Sequence, residues 1–301
     1  EGVKVYAGNY ASLKAILHRG VSYEAIVTHF VNHHCLEVFD GYALDRRLFF
    51  VCHGAEILCE TIANETRPYF TPEKNLVALQ PEWRKQREAI RRYANDPRCT
   101  WIFVSEFLRR KAETAVGVTF GHTEIIHNHI DADRFHFREK EAELRKKILV
   151  CRRFDSRQYS VDLVVLCILT LSQKSFFKEL EFHLYGDGAA WETLRNPLRQ
   201  FSNVIFHRKF VPNAELPAIH ATCGIALFPS RFDTQGVAIA EAALSGLVPI
   251  GTRLGCYEGF FPKEVMALFA PQEDYLALAE AIERLYHSPE LFCRLSRAVG
   301  K

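Results

Sequence analysis

Neither sign of charge dominates this 301-residue chain: 38 Lys and Arg stand against 36 Asp and Glu, a formal net charge of +2. That near balance argues against general nucleic-acid binding, which draws on a strong basic excess. No Cys-x-x-Cys pair occurs among the nine cysteines, at 35, 52, 59, 99, 151, 167, 223, 256 and 293. An odd number of thiols scattered through apolar runs predicts reduced, buried cysteines and a cytoplasmic setting. The opening residues do not read as a signal peptide. The longest apolar run, 161–171, is broken at Asp162 and is too short to span a bilayer. Neither G-x-x-x-x-G-K-[ST] nor G-x-G-x-x-G stands at a strand–helix turn, which disfavours a P-loop nucleotidase or a usual dinucleotide enzyme. Short internal repeats and low-complexity tracts are missing too.

What is present is ordinary globular material, 48% hydrophobic and 25% charged, in a length that suits two domains. Strand-like runs are expected at 3–6, 23–29 (a buried strand), 47–52, 100–104 and 124–127, with helices at 11–18, to Phe39, at 81–94 and at 106–116. Ser105 is placed to cap the last of these helices. Residues 131–146 are highly charged with few apolar positions, which predicts a linker. A second alternation follows. Strands are expected at 147–152, 181–185, 203–206, 224–228 and 247–250. Helices are expected at 159–171, 191–201, 213–222, 235–245, 273–287 and 289–298. Strands alternating with helices predict parallel sheets covered on both faces. The expectation is an α/β chain of two Rossmann-like domains, 1–145 and 146–301, with a cleft between them. The chain opens on Glu1 rather than Met and closes just after a helical pattern, which predicts trimming at both ends.

Candidate chemistry gathers at strand ends. The stretch F-P-S-R-F-D-T-Q-G-V-A-I-A-E-A-A-L-S-G-L-V-P-I-G-T, 228–252, reads as strand end, loop, helix, turn and strand. Asp233 lies in the loop and Glu241 eight positions on, inside the helix. Carboxylates suit sugar hydroxyls, and the unpaired N–H groups of a helix start suit an anionic ligand. Equally, Asp233 could cap the helix and Glu241 could lie on a solvated face. Arg152, Arg153 and Arg157 follow the first strand of the second half and suit phosphate oxygens, unless they belong to a charged loop. Gly186-Asp187-Gly188 after a strand lets backbone approach a ligand closely. His29 and His53 each follow a strand in the first half. His29 and His33 are four apart and His34 is adjacent, but no Cys or carboxylate completes a metal set at usual spacing, so no metal site is assigned. Arg84 to Lys111 holds nine Lys or Arg and three Asp or Glu, a solvated helix face or, as the runner-up, a patch for anionic lipid or substrate.

Taken together, these segments resemble retaining glycosyltransferases of the GT-B fold, in the family called glycosyltransferase family 4 or group 1. The resemblance runs through I-L-V-C-R-R-F-D-S-R-Q-Y, H-L-Y-G-D-G, F-H-R-K-F-V-P-N-A-E-L-P-A-I-H and the 228–252 stretch, whose carboxylates follow the family's paired-Glu motif with Ser245-Gly246-Leu247-Val248-Pro249 after it. In the first half, V-C-H-G-A-E, V-S-E-F-L and I-I-H-N-H-I-D-A-D-R-F look like acceptor-domain landmarks.

The resemblance implies a nucleotide-sugar donor, a saccharide or lipid-linked saccharide acceptor, and transfer with retention. It assigns His29, Asp233 and Arg153 to the reacting end. Arg157, Gly186, Gly188, Lys209, Phe210, Gln235, Gly236, Val237 and Glu241 would line the donor, with Gln235, Gly236 and Val237 offering backbone N–H groups and Glu241 holding the ribose. Asp233 stands where the family has Glu, and Gln158 near where it has Lys. No cofactor or metal is implied and no nucleic-acid partner. Peripheral contact with the inner face of a membrane is the reading that the basic run would add. A GT-B-fold sugar-nucleotide epimerase and a non-catalytic module are the alternatives. A Gly-rich loop near the start is not found; Gly8-Asn9-Tyr10 matches it poorly.

Overall fold

The computed structural model describes residues 8–17, 23–40, 47–65 and 73–300, so the strand expected at 3–6 lies outside the described residues. The chain divides into two compact units: Glu1–Ile62 with Pro72–His127, and Ala63–Thr71 with Asn128–Lys301.

The first unit runs Tyr10–Leu17 (α1), Ala25–His29 (β1), His33–Asp40 (α2), Arg47–Cys52 (β2), Ala55–Glu65 (α3), Glu73–Tyr93 (α4), Cys99–Phe103 (β3), Glu106–Val116 (α5) and Thr123–Ile125 (β4). Its strands are parallel, in the order β1-β2-β3-β4. Strand periodicity sends Leu48, Phe50 and Cys52 of β2, and Cys99, Trp101 and Phe103 of β3, into the core. The rings of Phe50 and Trp101 meet at 4.8 Å. Full burial of a side chain such as Phe50 contributes about 1.5–3 kcal/mol. Ser105 caps α5 as expected: its side chain accepts from the Leu108 amide, and Gly117 closes the helix at φ 74°.

Three features of this unit depart from expectation. β1 is not buried; as the outer strand of the described sheet it leaves Val27 59% exposed. Helix α3 was not anticipated. Helix α4 begins at Glu73, not at Pro81, and carries the proline inside it. A proline signals a helix start because it lacks an N–H, but one missing bond is tolerated where the face packs well. Here Trp83, Gln86, Ala89, Ile90 and Tyr93 form that buried face.

The second unit runs Lys147–Cys151 (β5), Val161–Leu171 (α6), Glu181–Gly186 (β6), Trp191–Arg195 (α7), Val204–Arg208 (β7), Leu216–Thr222 (α8), Ile225–Leu227 (β8), Val237–Leu244 (α9), Val248–Ile250 (β9), Lys263–Met266 (α10), Tyr275–His287 (α11) and Pro289–Val299 (α12). All five strands are parallel, in the order β7-β6-β5-β8-β9. The order reverses direction between β5 and β8. At such a reversal the two outgoing loops diverge and leave a crevice at the carboxyl ends of the strands.

The division between units falls at His127/Asn128, not at 145/146 as charge density suggested. Residues 131–146 form part of the second unit, because their few apolar groups and long side chains are anchored there. Phe135 is 1% exposed and packs 5.6 Å from the His220 ring. Lys140 Nζ donates to the His220 carbonyl at 2.6 Å, and Arg145 Nε to the Tyr286 carbonyl at 2.9 Å. Burial, and then the nearby Lys140, lowers the His220 pKa to about 4. Burial lowers that of Lys140 to about 8. Among the described residues no helix is long and apolar enough to cross a membrane, and the cysteines described are free thiols.

Candidate functional site

The β5–β8 crevice is built from three loops. Leaving β5, Arg152 turns inward: it is 9% exposed, its guanidinium lies 4.3 Å over the Phe228 ring and its Nη2 donates to the Phe228 carbonyl at 3.4 Å. Arg153 turns outward, 59% exposed, with Nε 3.1 Å from Asp155 Oδ2. The two adjacent arginines therefore have different surroundings: one props the loop, the other presents an accessible cation. Arg157 is half-buried, 3.9 Å from Asp162 through its Nε.

The glycine turn packs against this arginine loop. A Cβ on Gly186 (φ 151°) would lie 1.9 Å from the Arg152 carbonyl, and one on Gly188 would lie 2.6 Å from the Asp155 nitrogen. These glycines thus permit close approach of backbone to backbone. Phe154 N donates to the Asp187 carbonyl at 2.9 Å, which joins the two loops.

The third loop, 228–236, is fixed by Arg231. This side chain is 7% exposed and bidentate on Asp162 (both contacts 2.8 Å) and on Glu273 (2.6 and 2.8 Å), and it also donates to the Arg157 carbonyl at 2.8 Å. Every arm of the fork is used, which is how a buried guanidinium offsets its desolvation.

Beyond it, Asp233 Oδ1 accepts from the amides of Thr234 (2.7 Å), Gln235 (3.1 Å) and Gly236 (2.8 Å). The expectation that the Gln235 and Gly236 amides lie open is therefore corrected: a short carboxylate four residues ahead of Val237 reaches them first. Asp233 Oδ2 has no partner among the described residues. Gln235 is 2% exposed, and its side chain pairs with the Asn128 backbone, accepting from its amide at 2.6 Å and donating to its carbonyl at 3.1 Å. Gly236 has φ 80°, and a Cβ there would meet Tyr257 at 2.3 Å.

Helix α9 then starts. Its first intrahelical bond is Ala240 N to Gly236 O at 3.1 Å, so Val237, Ala238 and Ile239 present amides without helical acceptors. Glu241 is half-buried, and its carboxylate has no hydrogen-bond or ion-pair partner among the described residues. Burial raises its pKa, while Arg134 lowers it and Asp131 raises it further. A half-buried acid without a partner costs folding free energy that a ligand's hydroxyls would offset. Farther along the sheet, Phe210 is 60% exposed beside Lys209, whose Nζ reaches Glu215 at 3.0 Å. Tyr185 and His207 stack at 4.0 Å on the neighbouring strands, a ring pair that sequence reading did not single out.

In the first unit, His29 ends β1 and His53 follows β2. Parallel pairing with His29 opposite Val51 brings the two rings together, with His29 Nδ1 3.0 Å from His53 Nε2. Burial, then the neighbouring His29, lowers the His53 pKa. The Glu56 carboxylate accepts from the amides of His53 and Gly54 at the start of α3, the second at 3.0 Å. Phe30 stacks on His53 at 4.4 Å, is 58% exposed, and has φ 53°. A bulky aromatic in the left-handed region is strained, and such strain is held where surrounding contacts over-determine it.

Comparison with known proteins bears on the family and the fold. Residues 145–288 match the family of glycosyl transferases, group 1. The fold class is GT-B, two Rossmann-like units. The chain is similar to the crystal structure of TarM (TM-score 0.72, 12% identity), covering 98% of this chain and 55% of that one. It is likewise similar to sucrose-phosphate synthase from Thermosynechococcus elongatus (TM-score 0.71, 18% identity, 97% and 70% covered). A third similar structure is HepE from Anabaena in complex with UDP (TM-score 0.71, 16% identity, 97% and 76% covered). The chain thus spans about half the length of TarM, 55%. No curated protein sequence gives a significant match.

Within the group 1 match, Arg153, Gly186, Gly188, Asp233, Gln235 and Gly236 lie at strand ends and loops on the carboxyl edge of one sheet, and Val237 and Glu241 lie in the first turns of α9. His29 belongs to the other unit. Sequence reading missed the roles of Arg231 and Glu56. For Glu56 a signal existed: an acid just inside a helix start, in H-G-A-E, reaches back to the amides before it.

Proposed function

We propose that this chain is a retaining glycosyltransferase that moves a sugar from a nucleotide-sugar donor to a saccharide or lipid-linked saccharide acceptor in the cytoplasm. The observation that carries the reading is the α9 start: amides without helical acceptors at Val237–Ile239 stand one turn before the unpartnered, half-buried Glu241 carboxylate. A free phosphate would use the amides alone. A nucleotide sugar uses both, its diphosphate on the amides and its ribose hydroxyls on Glu241. That HepE was solved with UDP, and a trehalose-6-phosphate enzyme of E. coli with UDP-2-fluoro glucose, supports this donor class.

In this reading Arg153 releases Asp155 to take the diphosphate. As the sugar–phosphate bond loosens, negative charge grows on the leaving group, and Arg153 and the α9 amides stabilise it without reorganising. Asp233 Oδ2 holds a sugar hydroxyl while Oδ1 keeps the loop closed. Phe210 offers its exposed face to the nucleobase. His29 contacts the transferred sugar, with His53 setting which of its nitrogens bears the proton. The acceptor hydroxyl attacks from the face that the phosphate leaves, and the phosphate takes its proton. Arg153 and the helix start supply the positive charge, so the transfer step needs no metal. Lipid contact through residues 84–111 gains no support, since Arg92, Arg98 and Arg109 are paired with Asp40, Asp96 and Glu106.

One observation favours a non-catalytic module as the second reading: Asp233 already occupies amides that a donor would use. The chain incubated with a panel of UDP- and GDP-sugars decides. Donor hydrolysis or transfer is expected, together with at least tenfold weaker donor binding by Glu241→Ala in calorimetry. Binding without turnover would favour the module, and an epimerised sugar nucleotide would sink the transferase reading.

A further inference from the structure

Sequence spacing gave His29, His33 and His34 no carboxylate to complete a metal set. The fold leaves His29 out of that group and brings Glu82 in from α4. His33 stands at the start of α2, 8% exposed, with its Nε2 3.2 Å from Glu82 Oε2. That approach misses hydrogen-bond geometry, and the buried nitrogen has no hydrogen-bond partner among the described residues. Adjacent His34 is exposed. One ligand atom from each of His33, His34 and Glu82 lies within 4.8 Å of the others.

These distances suit a small ion. Two ligands bonded at about 2.1 Å to a tetrahedral zinc lie about 3.4 Å apart. The His33–Glu82 pair already has that spacing, and a small rotation of the exposed His34 closes the remainder. The surroundings divide the donor atoms suitably. Lys85 Nζ donates to Glu82 Oε1 at 2.8 Å, which leaves Oε2 for the ion. Glu37 Oε2 is 3.7 Å from His34 Nδ1, a carboxylate beside a ligand imidazole. Behind the cluster, Gln86 fixes the α2 start on α4. Its Oε1 accepts from the His33 amide at 2.6 Å, and its Nε2 donates to the Val31 carbonyl at 3.0 Å and the Glu56 carbonyl at 2.9 Å.

The plainer account is a His33–Glu82 ion pair with a solvated neighbour. We propose that His33, His34 and Glu82 form a site for a zinc-like divalent ion that ties α2 to α4, with water completing its coordination. This goes beyond the sugar-transfer reading and does not depend on it.

The test titrates the metal-stripped, reduced chain with Co2+, then displaces it with Zn2+. Nitrogen and oxygen ligands give visible d–d bands without the near-ultraviolet thiolate charge-transfer band, so the free cysteines are told apart. The expected result is one Co2+ of this spectral type per chain, with affinity falling at least about tenfold in His34→Ala and in Glu82→Gln, and about tenfold in Glu37→Gln. Both His34 and Glu82 are exposed, so these variants keep the fold. Zn2+ should also raise the melting temperature of the parent and not of the variants. A thiolate spectrum, or equal affinity in the parent, His34→Ala and Glu82→Gln, would overturn the site.

Discussion

The two units carry their chemistry in opposite ways. In the second, strand order reverses between β5 and β8, and the crevice there is lined by groups that are mutually tied: Arg231 to Asp162 and Glu273, Asp233 to three amides, Gln235 to Asn128. In the first, the described sheet runs in simple order, and its chemistry lies on an outer strand, where His29 and Phe30 are exposed and Phe30 is strained. The lesson is one of division of labour. On the proposed function, the unit assigned the charged, many-armed donor is the one that spends hydrogen bonds on rigidity, and the unit assigned the neutral hydroxyl-bearing acceptor is the one that leaves its groups in solvent.

Breaking the tied unit should cost most. Arg231→Met removes the buried cation that Asp162 and Glu273 share, leaving Asp162 the 3.9 Å approach of Arg157, and loss of one partner from a buried pair costs about 3–5 kcal/mol. Glu273 is 56% exposed, so the lower end is expected. Urea unfolding measures it, and a loss under about 1 kcal/mol would show that the latch is ornamental.

Acid should also fall hardest on this unit. The folded pKa of His220 is depressed, so its contribution is whole above pH 6.5 and is lost as pH falls toward about 4. The slope is about 1.4 kcal/mol per pH unit. His220→Gln should flatten that slope, and a parent stability that does not change between pH 6.5 and 4.5 would contradict it.

Smaller effects sharpen the contrast. Gln235→Ala strips both backbone partners from Asn128 and should cost about 1–3 kcal/mol. Phe30→Gly should do the reverse in the first unit. Relief of a left-handed φ is worth about 1 kcal/mol, so the variant should melt no lower than the parent. A clear drop in melting temperature would show that the stack on His53 outweighs the strain. Glu241→Gln should combine the two patterns. Its raised pKa means that the ionised acid weakens the fold above the usual carboxylate range, so the amide should leave stability equal or higher while donor binding weakens. Unchanged donor affinity in calorimetry would remove Glu241 from the ribose.

Much of this was legible in the chain. Alternation of apolar runs located every described strand, and Ser105 marked the start of α5. What stayed hidden had physical causes. Burial of β1 could not be read, because an outer strand and an inner strand share one apolar pattern until their neighbours are known. Residues 131–146 read as a linker because charge density conceals that Lys140 and Arg145 bury their heads against carbonyls. At 152 and 153 two identical residues differ only in the direction of their side chains, and composition carries no direction. The Asp233 loop showed the reverse: capping and ligand binding looked like alternatives, yet the two oxygens of one carboxylate can divide them.

On the proposed function, that loop also limits how strongly a donor is held. Because Oδ1 of Asp233 is already a resident acceptor for the amides of Thr234, Gln235 and Gly236, an arriving oxygen gains only the difference between two acceptors there, not a whole bond. In that reading, affinity at the sugar end is damped, and selection among sugars passes to whichever hydroxyl reaches the carboxylate oxygen that Thr234, Gln235 and Gly236 leave unengaged.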